Sequence, residues 1–432
     1  MKFYSTNNPN HQVSLAEAVI KGLAPDQGLY MPERIPSLSP EVISSFQKMN
    51  FQEIGYVVME SIFSEDLSKS QIKDLVDHTL VFDAPIVEVE KDVYSLELFH
   101  GPTLAFKDFG ARFCSKLMSL LLADSDKKVR VLVATSGDTG SAVANGFLGV
   151  EGVEVIILFP KGKVSELQEK QFTTLGQNIT ALEVDGVFDD CQRMVKEAFL
   201  DAELNKDLLL TSANSINIAR WIPQALYYFY AYSRLPKNGK KVAFAVPSGN
   251  FGNIAAGILA QRMGLPIDHF VAATNVNKVV PDYLRGAEFK AMPSKQTISN
   301  SMDVGNPSNF PRLLALFGGD EELLKSHVKG YFYTDEETVA VMQEVFDSGY
   351  TLDPHGAVGY KGLKDFMEEN PGYQGVFLET AHPGKFRGTV EKALDINLTL
   401  PDRLEAFMEG QKKVQSLEKD FGKFKEYLKG LD

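Results

Sequence analysis

Only two cysteines, Cys114 and Cys191, occur in the 432 residues. They form neither a disulfide framework nor a thiolate metal site, and suit a reducing cytoplasm as buried core residues. The seven histidines are scattered. No HExxH pair or similar spacing marks a metal centre. Positive charge is in deficit, 44 Lys and Arg against 57 Asp and Glu, for a net charge of −13. That balance disfavours non-specific nucleic-acid binding and leaves room only for local basic pockets. No apolar run is long enough to span a bilayer, and the N-terminus lacks a signal-peptide pattern. Repeats, low-complexity tracts and long linkers are also missing. The expectation is a cytoplasmic protein of two or three domains that acts on small molecules without a membrane or nucleic-acid partner.

The most informative stretch is Glu97 to Gly110, ELFHGPTLAFKDFG. Lys107 lies between Phe106 and Phe109, just after a Gly-Pro turn. Phe106, Phe109, Phe113, Leu117, Leu120 and Leu121 then recur at helical spacing. Pro102 and Thr103 suit a helix start, which puts Lys107 near the first turn. An amine in an apolar pocket at the positive end of a helix has a lowered pKa and can attack a carbonyl to form a Schiff base. Taken alone, the same lysine reads as a surface residue of an amphipathic helix.

Residues 1–80 carry a short amphipathic helix from Leu15 to Leu23, turns at Pro25, Gly28 and Pro32, and a helical stretch from about Pro40 to Leu80. They read as a packing or cover module. From Asp83 strands and helices alternate. Strands are expected at Val129–Ala134, Val155–Phe159, Ile179–Val184, Val242–Val246, Phe270–Thr274 and Gly375–Glu379. Such alternation specifies an α/β architecture with largely parallel sheets. Pro401 to Asp432 reads as a charged helix or helix pair, most simply a solvated cap.

Four motifs could carry chemistry. In VLVATSGDTGSA, residues 131–142, a strand enters a small glycine-rich turn before a helix, whose N–H groups attract anions. Ser136 and Thr139 add hydroxyls. KVAFAVPSGNFGN, residues 241–253, repeats the form through Gly249 and Gly252 without the G-K-[ST] of a Walker loop. TSANSINIARW, residues 211–221, concentrates Asn214, Ser215, Asn217 and Arg220, and the planar fork of arginine suits phosphate. Nearby Lys161 and Lys163 read equally as surface lysines. FLETAHPGKF, residues 377–386, ends a strand at Thr380. Each motif also has a plain structural reading, as a turn, a helix cap or a strand end.

The run TLAFKDFG with Glu97 upstream resembles the pyridoxal-phosphate (PLP) lysine site of the serine/threonine dehydratase and threonine synthase group. The longer ELFHGPTLAFKD, with FYSTN and GLAPDQGLYMPERIP near the N-terminus, resembles the threonine synthase family. SMDVGNPSN, residues 301–309, and DPHGAVG, residues 353–359, resemble it too, without an assigned role. The resemblance covers about Phe3 to Lys385. It implies the type II PLP fold, similar to the tryptophan synthase β subunit: two α/β lobes in 81–432 behind an N-terminal, mainly helical domain in 1–80. It implies PLP on Lys107, with its phosphate at Gly249, Asn250, Phe251 and Asn253 and its ring nitrogen facing Thr380. The amino-acid carboxylate falls to Ser136, Gly137, Asp138 and Thr139, and the substrate phosphate to Asn214, Ser215, Asn217 and Arg220. The implied reaction converts O-phospho-L-homoserine and water to L-threonine and phosphate, by γ-elimination and β-addition of water. Two rivals stand beside it: a dehydratase-like PLP lyase, and a non-catalytic relative that binds PLP or a phospho-ligand.

Overall fold

The computed structural model describes residues 1–123 and 128–431. Its first 80 residues pair three short strands, β1 Phe3–Ser5, β2 Gln12–Val13 and β3 Tyr30–Pro32, in the order β2-β1-β3. The helical stretch expected over 40–80 is divided into helices Pro40–Ser45, Phe51–Phe63 and Lys69–Thr79. The cause is local. Ser39, Asn50 and Ser68 each accept a backbone N–H from the next turn, and Glu53 and Gln71 complete capping boxes for the last two. The apolar faces of these helices share one buried cluster with Phe109, Phe113 and Trp221 of the following chain.

Among the described residues, eleven further strands build two sheets. They are β4 Ile86–Glu90, β5 Val93–Glu97, β6 Val129–Ala134, β7 Val153–Pro160, β8 Ile179–Asp185, β9 Leu209–Ser212, β10 Lys241–Pro247, β11 His269–Thr274, β12 Val328–Phe332, β13 Tyr373–Glu379 and β14 Gln415–Glu418. One sheet runs β12-β11-β10-β13-β5-β4, parallel except for β4. The other runs β14-β8-β7-β6-β9 and is parallel throughout. Every residue of β6 and β13 is buried, as parallel strands covered on both faces require. The six expected strands lie within β6, β7, β8, β10, β11 and β13. Short or polar strands were not expected, among them β9 (LLTS) and β14 (QSLE).

The C-terminal stretch differs from a solvated cap. Helices Asp402–Glu409 and Phe421–Lys429 flank β14, which adds to the sheet edge beside β8. Phe424 and Leu428 are fully buried against Cys191, Met194 and Val195. Among the described residues no helix is long and apolar enough to cross a membrane.

A solvated cap and a docked one make different demands on Phe424. Because its ring fills a core, Phe424→Ala should lower unfolding stability by about 3–5 kcal/mol in urea titration. A loss within about 0.5 kcal/mol, typical of a surface position, contradicts the docked arrangement.

Candidate active site

Lys107 is held by the carboxyl ends of β5 and β13, which run in parallel with Glu97 opposite Glu379. The chain leaving β5 folds back on the chain leaving β13. Phe106 N–H donates to the Thr380 carbonyl at 2.8 Å, His382 N–H donates to the Leu104 carbonyl at 3.0 Å, and Ala105 bridges Ala381. Helix Lys107–Leu121 starts at the lysine itself and buries Phe109, Phe113 and Leu117. Asp108 anchors the preceding turn, accepting the Thr103 N–H at 2.8 Å and the Thr103 hydroxyl at 2.6 Å. Burial pushes its carboxyl up to about 6, against those two bonds.

The amine sits among charges. Lys107 Nζ lies 3.7 Å from Asp138 Oδ2, and the Lys107 side chain is 19% exposed, so a ligand can reach it. Burial lowers its pKa most. Asp138 opposes that effect, while Lys385 and Arg220 reinforce it. Asp138 is itself buried, which would raise its pKa. The adjoining Lys385 and Lys107 ammonium groups instead hold it well below the usual carboxylate range.

Three predicted loops leave the carboxyl ends of β6, β9 and β10, the edge where ligands bind in open α/β sheets. After β6, Gly137 adopts φ +146°, and a Cβ there would lie 2.6 Å from the Gln168 side chain. Gly137 and Gly140 donate their N–H groups to Thr135 Oγ1. Those of Asp138 and Thr139 have no partner among the described residues, and no side chain caps the helix that starts there. Ser136 is exposed and Thr139 half-buried. After β10, Phe251 takes a left-handed φ of 62° and heads helix Gly252–Arg262, again without a side-chain cap. The N–H groups of Phe251, Gly252 and Asn253 have no partner among the described residues. The Asn253 side chain points inward, donating to the Pro247 carbonyl at 2.8 Å and accepting Ile254 N–H at 3.0 Å. Asn250 is exposed, and its side-chain oxygen accepts from the Ser308 hydroxyl at 3.0 Å.

The segment after β9 carries the third loop. Arg220 is 3% exposed and lies against Gly110 of the Lys107 helix, where a Cβ would meet Arg220 Nε at 3.0 Å. Its Nη1 donates to the Ala213 carbonyl, and its buried Nε has no partner among the described residues. No carboxylate among the described residues lies within 4 Å of this guanidinium. Asn214 Oδ1 is likewise buried and unpartnered. Asn217 is turned away from these groups. Its amide donates to the carbonyls of Val19 at 2.9 Å and Ser212 at 2.8 Å, and its oxygen caps Ala219 N–H. Asn217 thus holds the segment against residues 1–80. Lys161 and Lys163 are exposed beyond β7.

A segment given no role in the sequence ties the loops together. Ser301 donates its hydroxyl to Asp138 Oδ2 at 3.3 Å and its N–H to His355 Nε2 at 3.2 Å. His355 therefore keeps its ring proton on Nδ1, facing Asp353 Oδ1 at 3.2 Å. Ser301 and Met302 also press on Gly249, where a Cβ would lie 2.9 Å from each backbone. Asn309 N–H donates to the Asn250 carbonyl at 3.1 Å, and its side chain reaches Ser215 Oγ at 3.2 Å. Lys385 was missed as well. Its Nζ meets Asp138 Oδ1 at 2.7 Å and the Thr103 carbonyl at 2.8 Å, and its side chain is fully buried. The signals were present in SMDVGNPSN and in the final lysine of TAHPGKF, but neither shows in sequence what it faces.

Comparison with known proteins follows this geometry. The profile described as "Pyridoxal-phosphate dependent enzyme" matches residues 74–377, "Threonine synthase N terminus" matches 2–80, and "Threonine synthase, C-terminal" matches 356–428. Threonine synthase of Escherichia coli (strain K12) is 45% identical over 406 residues, 94% of each chain. Its counterpart from Saccharomyces cerevisiae is 34% identical, over 94% of this chain and 91% of that one. A crystal structure of threonine synthase from Escherichia coli superposes with a TM-score of 0.93 at 42% identity, covering 99% of both chains. A PLP-bound threonine synthase from Brucella melitensis gives 0.92 at 34%, covering 99% of this chain and 98% of that one. Profile, identity and fold agree over nearly the full length, and by them the chain belongs to the threonine synthase family of PLP-dependent lyases.

Proposed function

We propose that the chain converts O-phospho-L-homoserine and water to L-threonine and phosphate, with PLP carried on Lys107. The observation that carries the substrate choice is Arg220: a buried guanidinium without a carboxylate partner, within electrostatic range of the Lys107 amine. A buried cation of this kind calls for an anion. A dehydratase acting on an unphosphorylated amino acid would leave it unused.

The residues present fit the cofactor. The uncapped helix after β10, with its unpartnered N–H groups, suits a phosphate. Gly249, Asn250, Phe251 and Asn253 would hold it through their backbone, since the Asn253 side chain is engaged inside. Thr380, the residue after β13, would face the ring nitrogen. When bound, PLP supplies a sink for the negative charge that develops on the substrate carbons.

The chain's own groups do the rest. The N–H groups of Asp138 and Thr139, with the Ser136 hydroxyl beside them, bind the substrate carboxylate at the helix N-terminus, while Gly137, its own N–H held by Thr135, shapes the turn. Lys107 Nζ, whose pKa burial lowers, takes the proton from Cα and then moves the one on Cβ. Arg220, with Asn214 and Ser215, holds the phosphate as it leaves Cγ. Asn217 supports that segment from behind. Residues 1–80 act as a cover that stiffens the Lys107 helix and the 211–221 segment, on the strength of their shared core.

Purified protein supplied with PLP and reduced with borohydride should carry the cofactor on the Lys107 peptide. Lys107→Ala should abolish phosphate release from O-phospho-L-homoserine. Label on another lysine would move the cofactor elsewhere. Gly249→Asp sets a carboxylate against the proposed cofactor phosphate and crowds Ser301. It should weaken PLP retention on dialysis, and a loss confined to substrate affinity would mean that the two phosphate sites are exchanged.

Removing the Arg220 contact tests the substrate assignment. A hydrogen bond to a charged group contributes about 1.5–3 kcal/mol, or roughly 10- to 150-fold in rate. Arg220→Ala should lower kcat/KM for O-phospho-L-homoserine by about that factor, and affect slow deamination of serine far less. Arg220→Lys should recover part of the loss, because an ammonium lacks the two-bond fork. Equal losses on both substrates would assign Arg220 to the fold.

A further inference from the structure

We propose that Lys385 is a positioning residue for the reactive amine: by taking one oxygen of Asp138, it keeps that carboxylate from holding Lys107 as an ammonium. The inference rests on the reading of Lys107 as the reactive lysine.

The geometry is unequal in a telling way. Asp138 Oδ1 is saturated by Lys385 Nζ at 2.7 Å and Gln168 Nε2 at 2.9 Å. Oδ2 is left with the Ser301 hydroxyl at 3.3 Å and Lys107 Nζ at 3.7 Å, a longer and weaker contact. Lys385 is itself fixed by the Thr103 carbonyl, four residues before Lys107, so its ammonium cannot swing away without losing that bond. Lys385 follows β13 and Asp138 follows β6, so the ion pair also joins the two sheets beside the amine.

Charge balance makes the role necessary. A lone carboxylate this close to a buried lysine favours its charged form, in which the amine is neither nucleophile nor base. Among the described residues, three charged groups act on the amine. Asp138, from the helix after β6, favours a proton on it. Lys385, from the turn after β13, and Arg220, from the segment after β9, oppose one. Asp108 on the amine's own helix is tied to Thr103. Near Lys385, burial lowers the pKa of His382, and Glu97 is engaged by His100 and Tyr350. With Lys385 present, the negative charge of Asp138 is already matched. Without it, Lys107 becomes the one cation among the described residues in direct contact with that carboxylate.

The test reads the amine and not turnover. Full-length protein freed of PLP is labelled with trace acetic anhydride from about pH 6 to pH 11, and the Lys107 peptide is quantified against exposed Lys2. In Lys385→Met the midpoint for Lys107 should rise by about one pH unit or more, a roughly tenfold loss of neutral amine below it. In Asp138→Asn it should fall. Lys385→Arg keeps the charge and should restore a midpoint near that of the native chain. A residue that merely tied the sheets together would lower stability in Lys385→Met and leave the midpoint in place, and that result overturns the proposal. If Lys385→Met does not fold, an unmoved or raised midpoint in Asp138→Asn overturns it equally. Should the Lys107 reading itself fail, the borohydride label would appear on another lysine whatever these midpoints show.

Discussion

The buried carboxylate of Asp138, shared between Lys385 and Lys107, is the constraint on which the site depends. Burying three charges is costly unless each finds a partner at good geometry. Here one anion serves two cations, and Gln168 and Ser301 donate to its remaining positions. The arrangement sets the position of the loop after β6 relative to the turn after β13. It also leaves one cation, Lys107, less well matched than the other. That inequality is what a reactive lysine needs, because an amine held tightly as an ion cannot accept a proton.

Around this centre the fold offers uncapped backbone N–H groups of a kind that suits anions. Two helices begin without side-chain caps at the carboxyl ends of β6 and β10, so their first N–H groups remain for a ligand. The third group suited to an anion is a side chain, Arg220, whose charge no carboxylate among the described residues matches. Residues 299–312 run across all three, touching Asp138, Gly249, Asn250 and Ser215. Arg312 fastens the end of this strap to the carbonyls of Ser215 and Ile216, at 3.0 and 2.7 Å, and to Tyr30 of the N-terminal segment.

Much of this was legible in the chain because the signals are local. Buried parallel strands such as β6 and β13 announce themselves as unbroken apolar runs, and a glycine turn before a helix marks each backbone cradle. Lys107 stands out by its neighbours in sequence, and the structure sets its amine beside Asp138. The rest depends on distant partners. Lys385 shows its place only beside Asp138, 247 residues away in sequence, and Ser301 only beside Asp138 and His355. Asn217 looked like a ligand residue because amide side chains cluster there; its amide instead joins the segment to Val19. The C-terminal segment read as a cap because its charged residues mask the two positions, Phe424 and Leu428, that dock it.

The central claim is that Lys107 stands between two separate phosphate sites, one made by the helix after β10 and one by Arg220. A crystal structure of the full-length protein grown with PLP and inorganic phosphate tests it most directly. The account predicts PLP on Lys107 with its phosphate against Phe251–Asn253, and a second phosphate bound by Arg220. A PLP phosphate seated on Arg220, with the helix after β10 left to solvent, would contradict it.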